Sequence, residues 1–259
     1  MQNNQDNKLL LAKVFDKVRI SNTQNKIVNT DFFNEFQVMF LNNQLSKEKC
    51  TNYLFYGGYG QALRKVLIIY PDKINKDIAM EGINLIISVI KIKLPNEING
   101  KLKHKDYLGI LMSFGLTRER IGDIIVYGDR SYIITLRENA EYIKSCFQQE
   151  KIFKKAKIDI VELNQIEPKQ TEYENINISL NSLRLDNFVS EILKTSRKIA
   201  QSEISEEKVY INNVIETKNT KVVKEKDILV IRGKGKFIIY KFLGKNKKDK
   251  EIIQIKKYI

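Results

Sequence analysis

SLRLDNFVSEILKTSRKIAQSEISEEKVYINN, residues 182–213, reads as two short helices followed by the start of a strand. Leu185, Phe188, Val189, Ile192 and Leu193 recur at helical spacing, which predicts one apolar stripe along a helix over 184–194. Thr195-Ser196 interrupts it, and Ser196 is suited to cap a second helix. There Ile199, Ala200 and Ile204 are expected to face inward, leaving Arg197, Lys198 and Gln201 near the exposed N-terminal end. Val209 and Ile211 then alternate with Lys208, Tyr210 and Asn212, as in a half-buried strand. Backbone N–H groups at a helix start attract anions, so two adjacent cations there could form a phosphate site. A basic residue at a helix start is usually just solvated, and the weight therefore falls on the pattern as a whole.

That pattern resembles the RNA-binding domain named after small-subunit ribosomal protein S-four, also called the αL motif. Arg184-Leu185-Asp186, Ser196-Arg197, Ala200, Ile204, Val209, Ile211 and Asn212 match it in register. Two glycines of the motif are replaced, by Glu207 and Asn213. Asn tolerates a left-handed backbone, whereas Glu at a left-handed helix end costs roughly 1 kcal/mol or more. The resemblance implies an RNA surface with Arg197 and Lys198 on phosphates, widened by Arg184, Gln201 and Lys208. Ser196 would position the helix, with Asn212, Asn213 and Lys234 completing the surface.

The net charge of +14 favours an acidic partner, nucleic acid first. Richness in Lys, Ile and Asn can also reflect a biased genome, so location counts for more than the total. Residues 166–259 carry +7, and 232–257 alone carry +8, next to the quoted stretch. Cys50 and Cys146 have no metal-ligand spacing and are expected as reduced thiols of a cytosolic protein. His104 is the single histidine, which excludes a multi-histidine metal site. The first residues lack the basic and apolar regions of a signal peptide, and the apolar run near 85–90 is too short to cross a bilayer. No cofactor and no membrane insertion are expected.

Along the chain, an α+β fold is expected. Residues 1–83 read as mainly helical, with Thr30-Asp31 capping a helix through Phe32, Phe33, Phe36, Met39, Phe40 and Leu41. The Gly57-Gly58-Tyr59-Gly60 loop lacks the Gly-Lys-Ser/Thr ending of a nucleotide loop and reads as a tight turn packing a helix on a strand. Residues 84–165 show the order βαββαβ, with strands near 84–93, 123–127, 131–136 and 156–163, a ferredoxin-like or RRM-like arrangement. It lacks the aromatic strand signature of base-stacking RRMs. Residues 166–180, with Pro168, read as a linker to a domain over 181–259, whose strands fall near 227–231, 235–242 and 251–258. The loop 244–250 is strongly basic and expected to be mobile.

Further stretches widen the resemblance. His104-Lys-Asp106-Tyr-Leu108-Gly109 and Phe114-Gly115-Leu-Thr-Arg118-Glu119-Arg-Ile-Gly122-Asp123 join Gly57-Gly58-Tyr59 and Ala62-Leu63-Arg64. Together they resemble the bacterial YlmH family, with Leu63 where the family usually has Glu. The resemblance implies a non-enzymatic, cytoplasmic, ribosome-associated protein that binds rRNA and tRNA on the large subunit. It would hold peptidyl-tRNA in ribosome-associated quality control, and an association with division proteins also attaches to the family. His104, Asp106, Arg118, Glu119 and Asp123 could form an acid–base cluster, but the simpler reading is a structural or docking surface. The rival function is an RNA-modifying enzyme, since pseudouridine synthases use an Asp in an Arg-Leu-Asp context that Asp186 superficially fits.

Overall fold

A computed structural model describes residues 2–168, 173–212 and 214–258 of this α+β protein. The chain divides into two compact units, 1–169 and 170–259. In the first, α1 (Gln2–Gln24) leads to β1 (Val28–Phe33), α2 (Glu35–Lys47), β2 (Tyr53–Tyr56) and β3 (Lys65–Ile69), with the strands ordered β1-β3-β2. The helix expected from Thr30-Asp31 is therefore a strand up to Phe33. Phe32 and Phe33 are buried on opposite faces, a period of two that a helix could not satisfy. The helix starts after Asn34, whose side chain accepts from the Gln37 N–H at 2.9 Å while Gln37 accepts from the Asn34 N–H at 2.9 Å. The Gly57–Gly60 turn joins β2 to β3 rather than packing a helix on a strand. A Cβ at Gly57 would lie 2.2 Å from the Arg64 carbonyl, so only glycine fits there.

After the short α3 (Lys76–Glu81) come β4 (Ile87–Lys93), α4 (His104–Ser113), β5 (Ile121–Val126), β6 (Arg130–Leu136), α5 (Ala140–Gln149) and β7 (Lys157–Val161). The sheet runs β5-β6-β4-β7, with every neighbouring pair antiparallel. Its strands bury both faces. Ile90, Ile92, Ile124 and Ile133 pack under α4 and α5 with Tyr107 and Phe147. Val89, Ile125, Tyr132 and Ile134 pack against Phe32, Leu54, Val66 and Ile68 of the three-stranded sheet. The other face of that small sheet carries Phe33, Leu67 and Ile69, covered by Val14 of α1 and by Leu41 and Leu45 of α2. Residues on either side of position 83 thus share one core.

The second unit begins with β8 (Tyr173–Leu180), inside the stretch expected as a linker. Ile176, Ile178 and Leu180 point to the core while the residues between them are polar, so β8 is a half-buried strand whose polar face masks it in the sequence. There follow α6 (Leu185–Leu193), α7 (Arg197–Ser205), β9 (Val209–Ile211), β10 (Val214–Ile215), β11 (Ile228–Ile231), β12 (Gly235–Lys245) and β13 (Glu251–Tyr258). One antiparallel sheet results, ordered β10-β9-β11-β12-β13-β8. Leu185, Phe188 and Val189 of α6 and Ala200 and Ile204 of α7 pack on Val209, Leu229, Ile231, Ile239, Ile253 and Ile255. The basic loop between β12 and β13 is a hydrogen-bonded turn. Asn246 Oδ1 accepts from the N–H groups of Lys248 at 2.9 Å and Lys250 at 3.1 Å, and Asp249 takes the left-handed conformation. Among the described residues, no helix is long and apolar enough to cross a membrane, and no group of His, Cys, Asp and Glu could hold a metal ion.

Candidate nucleic-acid interface

The start of α6 is held from outside the helix. Its first N–H groups donate to the carbonyls of Lys221 and Asn219, from Leu185 at 2.8 Å and Asp186 at 3.1 Å. This places Asp186 in the first turn and fully buried. A buried carboxylate is costly unless every lone pair is engaged, and here three side chains converge on it. Arg184 donates through Nε at 3.2 Å and through its terminal nitrogen at 2.9 Å. Arg197 donates at 3.3 Å and 2.8 Å, and Gln201 Nε2 at 3.1 Å. Burial alone would raise the Asp186 pKa, but these hydrogen bonds and the Arg197 charge outweigh it and bring it from 3.8 to about 2.

Arg197 and Gln201 are one helical turn apart on α7, so both reach the same acceptor. Three expected RNA-contacting residues are therefore brought together, but around a partner that sequence reasoning had given no part in binding RNA. The side chains of Arg197 and Arg184 remain 52% and 36% exposed, enough to meet solvent on their outer edges. Ser196 caps α7 by accepting from the Ile199 N–H at 3.3 Å. Lys198 is exposed beside it. Ile199, expected inside, is 51% exposed: Ala200 and Ile204 define the buried stripe, and Ile199 lies about 100° away from Ala200 around the helix.

The remaining candidates divide. Lys208 is tied to Glu203 at 3.1 Å and Glu206 at 2.7 Å, and these carboxylates raise its pKa. Asn212 is left-handed, donates to Asp227 at 2.7 Å and accepts from the Ile228 N–H at 2.9 Å, which locks the strand end. Asn213 lies outside the described residues. Lys234 is exposed in the turn between β11 and β12. Glu207 has φ +58°, the left-handed position where the motif has glycine. The Lys208 N–H bonds the Glu203 carbonyl at 3.1 Å and the Glu207 N–H bonds the Ile204 carbonyl at 3.1 Å, a Schellman ending of α7.

In the first unit, the imagined acid–base cluster works as a clamp. Asp123 accepts from Tyr59 Oη at 2.9 Å and from the N–H groups of Leu63 at 2.7 Å and Arg64 at 3.1 Å. Arg64 reaches the carbonyls of Phe32, Ile121 and Arg118, and Arg118 those of Ile121 and Gly122. Burial first, then the neighbouring Arg118 charge, lowers Arg64 to about 10, and the same two causes lower His104. Asp106 accepts from the Lys103 N–H at 2.8 Å at the start of α4. Leu63, at the family's Glu position, is 59% exposed and takes part through its backbone.

Comparison with known proteins adds three findings. Residues 83–167 match a family model described as "Putative RNA-binding domain in YlmH". The chain is 27% identical over 247 residues, 95% of its own length and 93% of the relative's, to the "Ribosome-associated protein quality control protein P2" of Bacillus subtilis strain 168. A solved structure, "Cell division protein ylmH from Streptococcus pneumoniae", is similar with a TM-score of 0.49 at 16% identity, covering 62% of this chain and 95% of that one. The matched domain supports an RNA-binding role. Over residues 83–167 the chain is similar to the YlmH family, and over 95% of its length to the Bacillus relative.

Proposed function

We propose that this protein binds rRNA and tRNA on the large ribosomal subunit and holds peptidyl-tRNA during ribosome-associated quality control, without chemistry of its own. The observation that carries the reading is the fixing of Arg184, Arg197 and Gln201 on one buried carboxylate, next to the free N–H groups of α7 and the exposed Lys198. Ordering the cations before RNA arrives lowers the entropy lost on binding. The name of the Bacillus relative supports the ribosomal setting and a cytoplasmic location. In domain terms, we read 181–259, extended back to include β8, as an S-four-type RNA-binding domain. We read 84–165 as a ferredoxin-like domain, on its strand order β5-β6-β4-β7.

The family description falls on the central domain, yet both faces of its sheet are buried. Base stacking on an open sheet, as in RRMs, has no room there, so RNA would reach this domain through its loops and edges. The pseudouridine synthase alternative needs an accessible Asp186, and three partners occupy that buried side chain. A division-linked adaptor role draws only on the name of the pneumococcal protein.

The test is charge reversal at Lys198, which is exposed at the start of α7. Charge-assisted contacts contribute about 1.5–3 kcal/mol, so Lys198→Glu should weaken rRNA binding by about tenfold or more while melting like the wild type. Lys13→Glu with Lys17→Glu, on α1, is the matched control. Co-sedimentation of the Lys198 variant with large subunits at the wild-type level would remove α7 from the interface.

A further inference from the structure

The face of the second unit's sheet that points away from α6 and α7 is built differently from an ordinary solvated face. On three adjacent strands, β12, β13 and β8, it brings together Tyr173, Tyr240, Tyr258, Lys236, Lys241 and Lys256. Tyr173 pairs directly with Tyr258 across the strands, with ring centroids 5.0 Å apart at 68°. Lys256 lies 3.6 Å from the centroid of the Tyr240 ring and 5.6 Å from that of Tyr173. Lys236 lies 5.1 Å from the centroid of the Tyr258 ring. Tyr240 is the extra residue of a β-bulge between Ile239 and Lys241. The bulge lets Tyr240 follow the buried Ile239 while Lys241, the partner of Gln254, stays on the same outer face.

Tyr240 is 47% exposed and Tyr173 38%. Asn175 and Asn177 occupy the outward positions of β8 next to them, and Gln254 that of β13. None of the outward residues described on these three strands is a carboxylate: the acidic Glu174 faces the other way, with Lys257. Neighbouring strands lie about 4.8 Å apart, so the patch is about 10 Å across.

We infer that this face is a second RNA-contacting surface, one that takes an unpaired strand, with bases stacked on Tyr240 and Tyr173 and phosphates on Lys236, Lys241 and Lys256. It rests on the RNA-binding reading above and adds a different form of RNA to it. Aromatic faces accept only bases that are not already stacked in a duplex, and lysines interleaved with them neutralise the backbone. That no described outward residue of these strands is a carboxylate fits a polyanion, and the amide side chains can meet base edges without selecting one sequence. The tyrosines are held before binding by the lysine contacts and by the ring pair, so little freedom is lost when a base arrives.

The experiment measures anisotropy of a fluorescein-labelled oligouridylate and of a structured rRNA hairpin with the full chain. Tyr173→Leu with Tyr240→Leu should lower oligouridylate affinity by about tenfold or more, because each stacked base contributes substantially. Hairpin affinity should change by less than about twofold, since α7 is untouched. Tyr173→Phe with Tyr240→Phe keeps the rings and should bind the oligouridylate like the wild type, which separates stacking from any loss of folding. Wild-type oligouridylate affinity in the leucine variant overturns the inference, as does a phenylalanine variant that fails equally. If the wild type binds the hairpin but not the oligouridylate, this inference alone fails. If it binds neither, the RNA-binding reading fails with it.

Discussion

Replacing Asp186 with Asn tests whether the buried carboxylate organises the α6–α7 pair. The perturbation keeps the volume and removes the charge. An Asn side chain offers one acceptor oxygen, and its Nδ2 hydrogens would face the donors of Arg184, Arg197 or Gln201. Moving the carboxyl pKa from 3.8 to about 2 corresponds to about 2.5 kcal/mol of preference for the charged form in the folded state. Donors left unmatched add to the loss, so the variant should be destabilised by about 3 kcal/mol at neutral pH. The sign of the pH dependence follows from a depressed carboxyl pKa. The stabilisation is fully present above about pH 4 and fades as pH falls towards 2, where the folded wild type also takes up its proton. The gap between wild type and Asp186→Asn should therefore close across that window. Urea titration followed on methyl resonances of Val189 and Leu229, both buried in the second unit, reads the stability of that unit in the full chain. Equal midpoints at pH 7, or a gap that persists unchanged at pH 2, would refute the reasoning.

Two further predictions rest on single positions and on the tail. Glu207→Gly places glycine at the left-handed φ of +58° and should stabilise the second unit by about 1 kcal/mol, read as a shift in the same urea midpoint. Neutralising Lys245, Lys247, Lys248 and Lys250 should flatten the salt dependence of rRNA binding without changing which RNA is preferred, by about 0.7–0.9 in log–log slope for each phosphate contact removed. Lys245 already faces Asp249 at 2.9 Å and Glu251 at 3.9 Å, so most of that change should come from the other three.

What could be read in the chain followed the reach of the interactions. The strands and helices of residues 84–165 stand near their expected places because alternation and the turn at Gly128-Asp129 are local signals. The strand at Val28–Phe33 was legible in principle, but Phe32, Phe33 and Phe36 mimic a helical stripe until two separate cores are known to exist. Strand β8 was hidden for the opposite reason: its outer face is polar, and its pairing partner β13 lies at the far end of the domain. In the site, residue types were readable and their partners were not. Arg197 and Asp186 are eleven residues apart and meet only when α7 folds back on α6. The two carboxylates that hold Lys208 lie five and two residues before it, close enough to have been suspected.

That meeting changes what charge reversal at the helix start can reveal. From sequence, Arg197 and Lys198 are equivalent cations pointing away from the core, and reversing both should spare the fold. In the structure only Lys198 is dispensable to folding. Glu at position 197 would bring a second carboxylate towards Asp186, in a site where burial already disfavours the first charge. Loss of RNA binding in a double variant would therefore mix a broken anchor with a repelled phosphate. In the proposed interface a phosphate and Asp186 would share one guanidinium: the donors aimed inward at the carboxylate leave the outer edge of Arg197 for RNA. Arg197 thus acts as a bridge, neutralised on one side by the protein and open on the other, and Lys198 supplies the uncompensated charge. In the proposed interface, affinity for RNA and stability of the α6–α7 pair are coupled through the one buried carboxylate that holds Arg197.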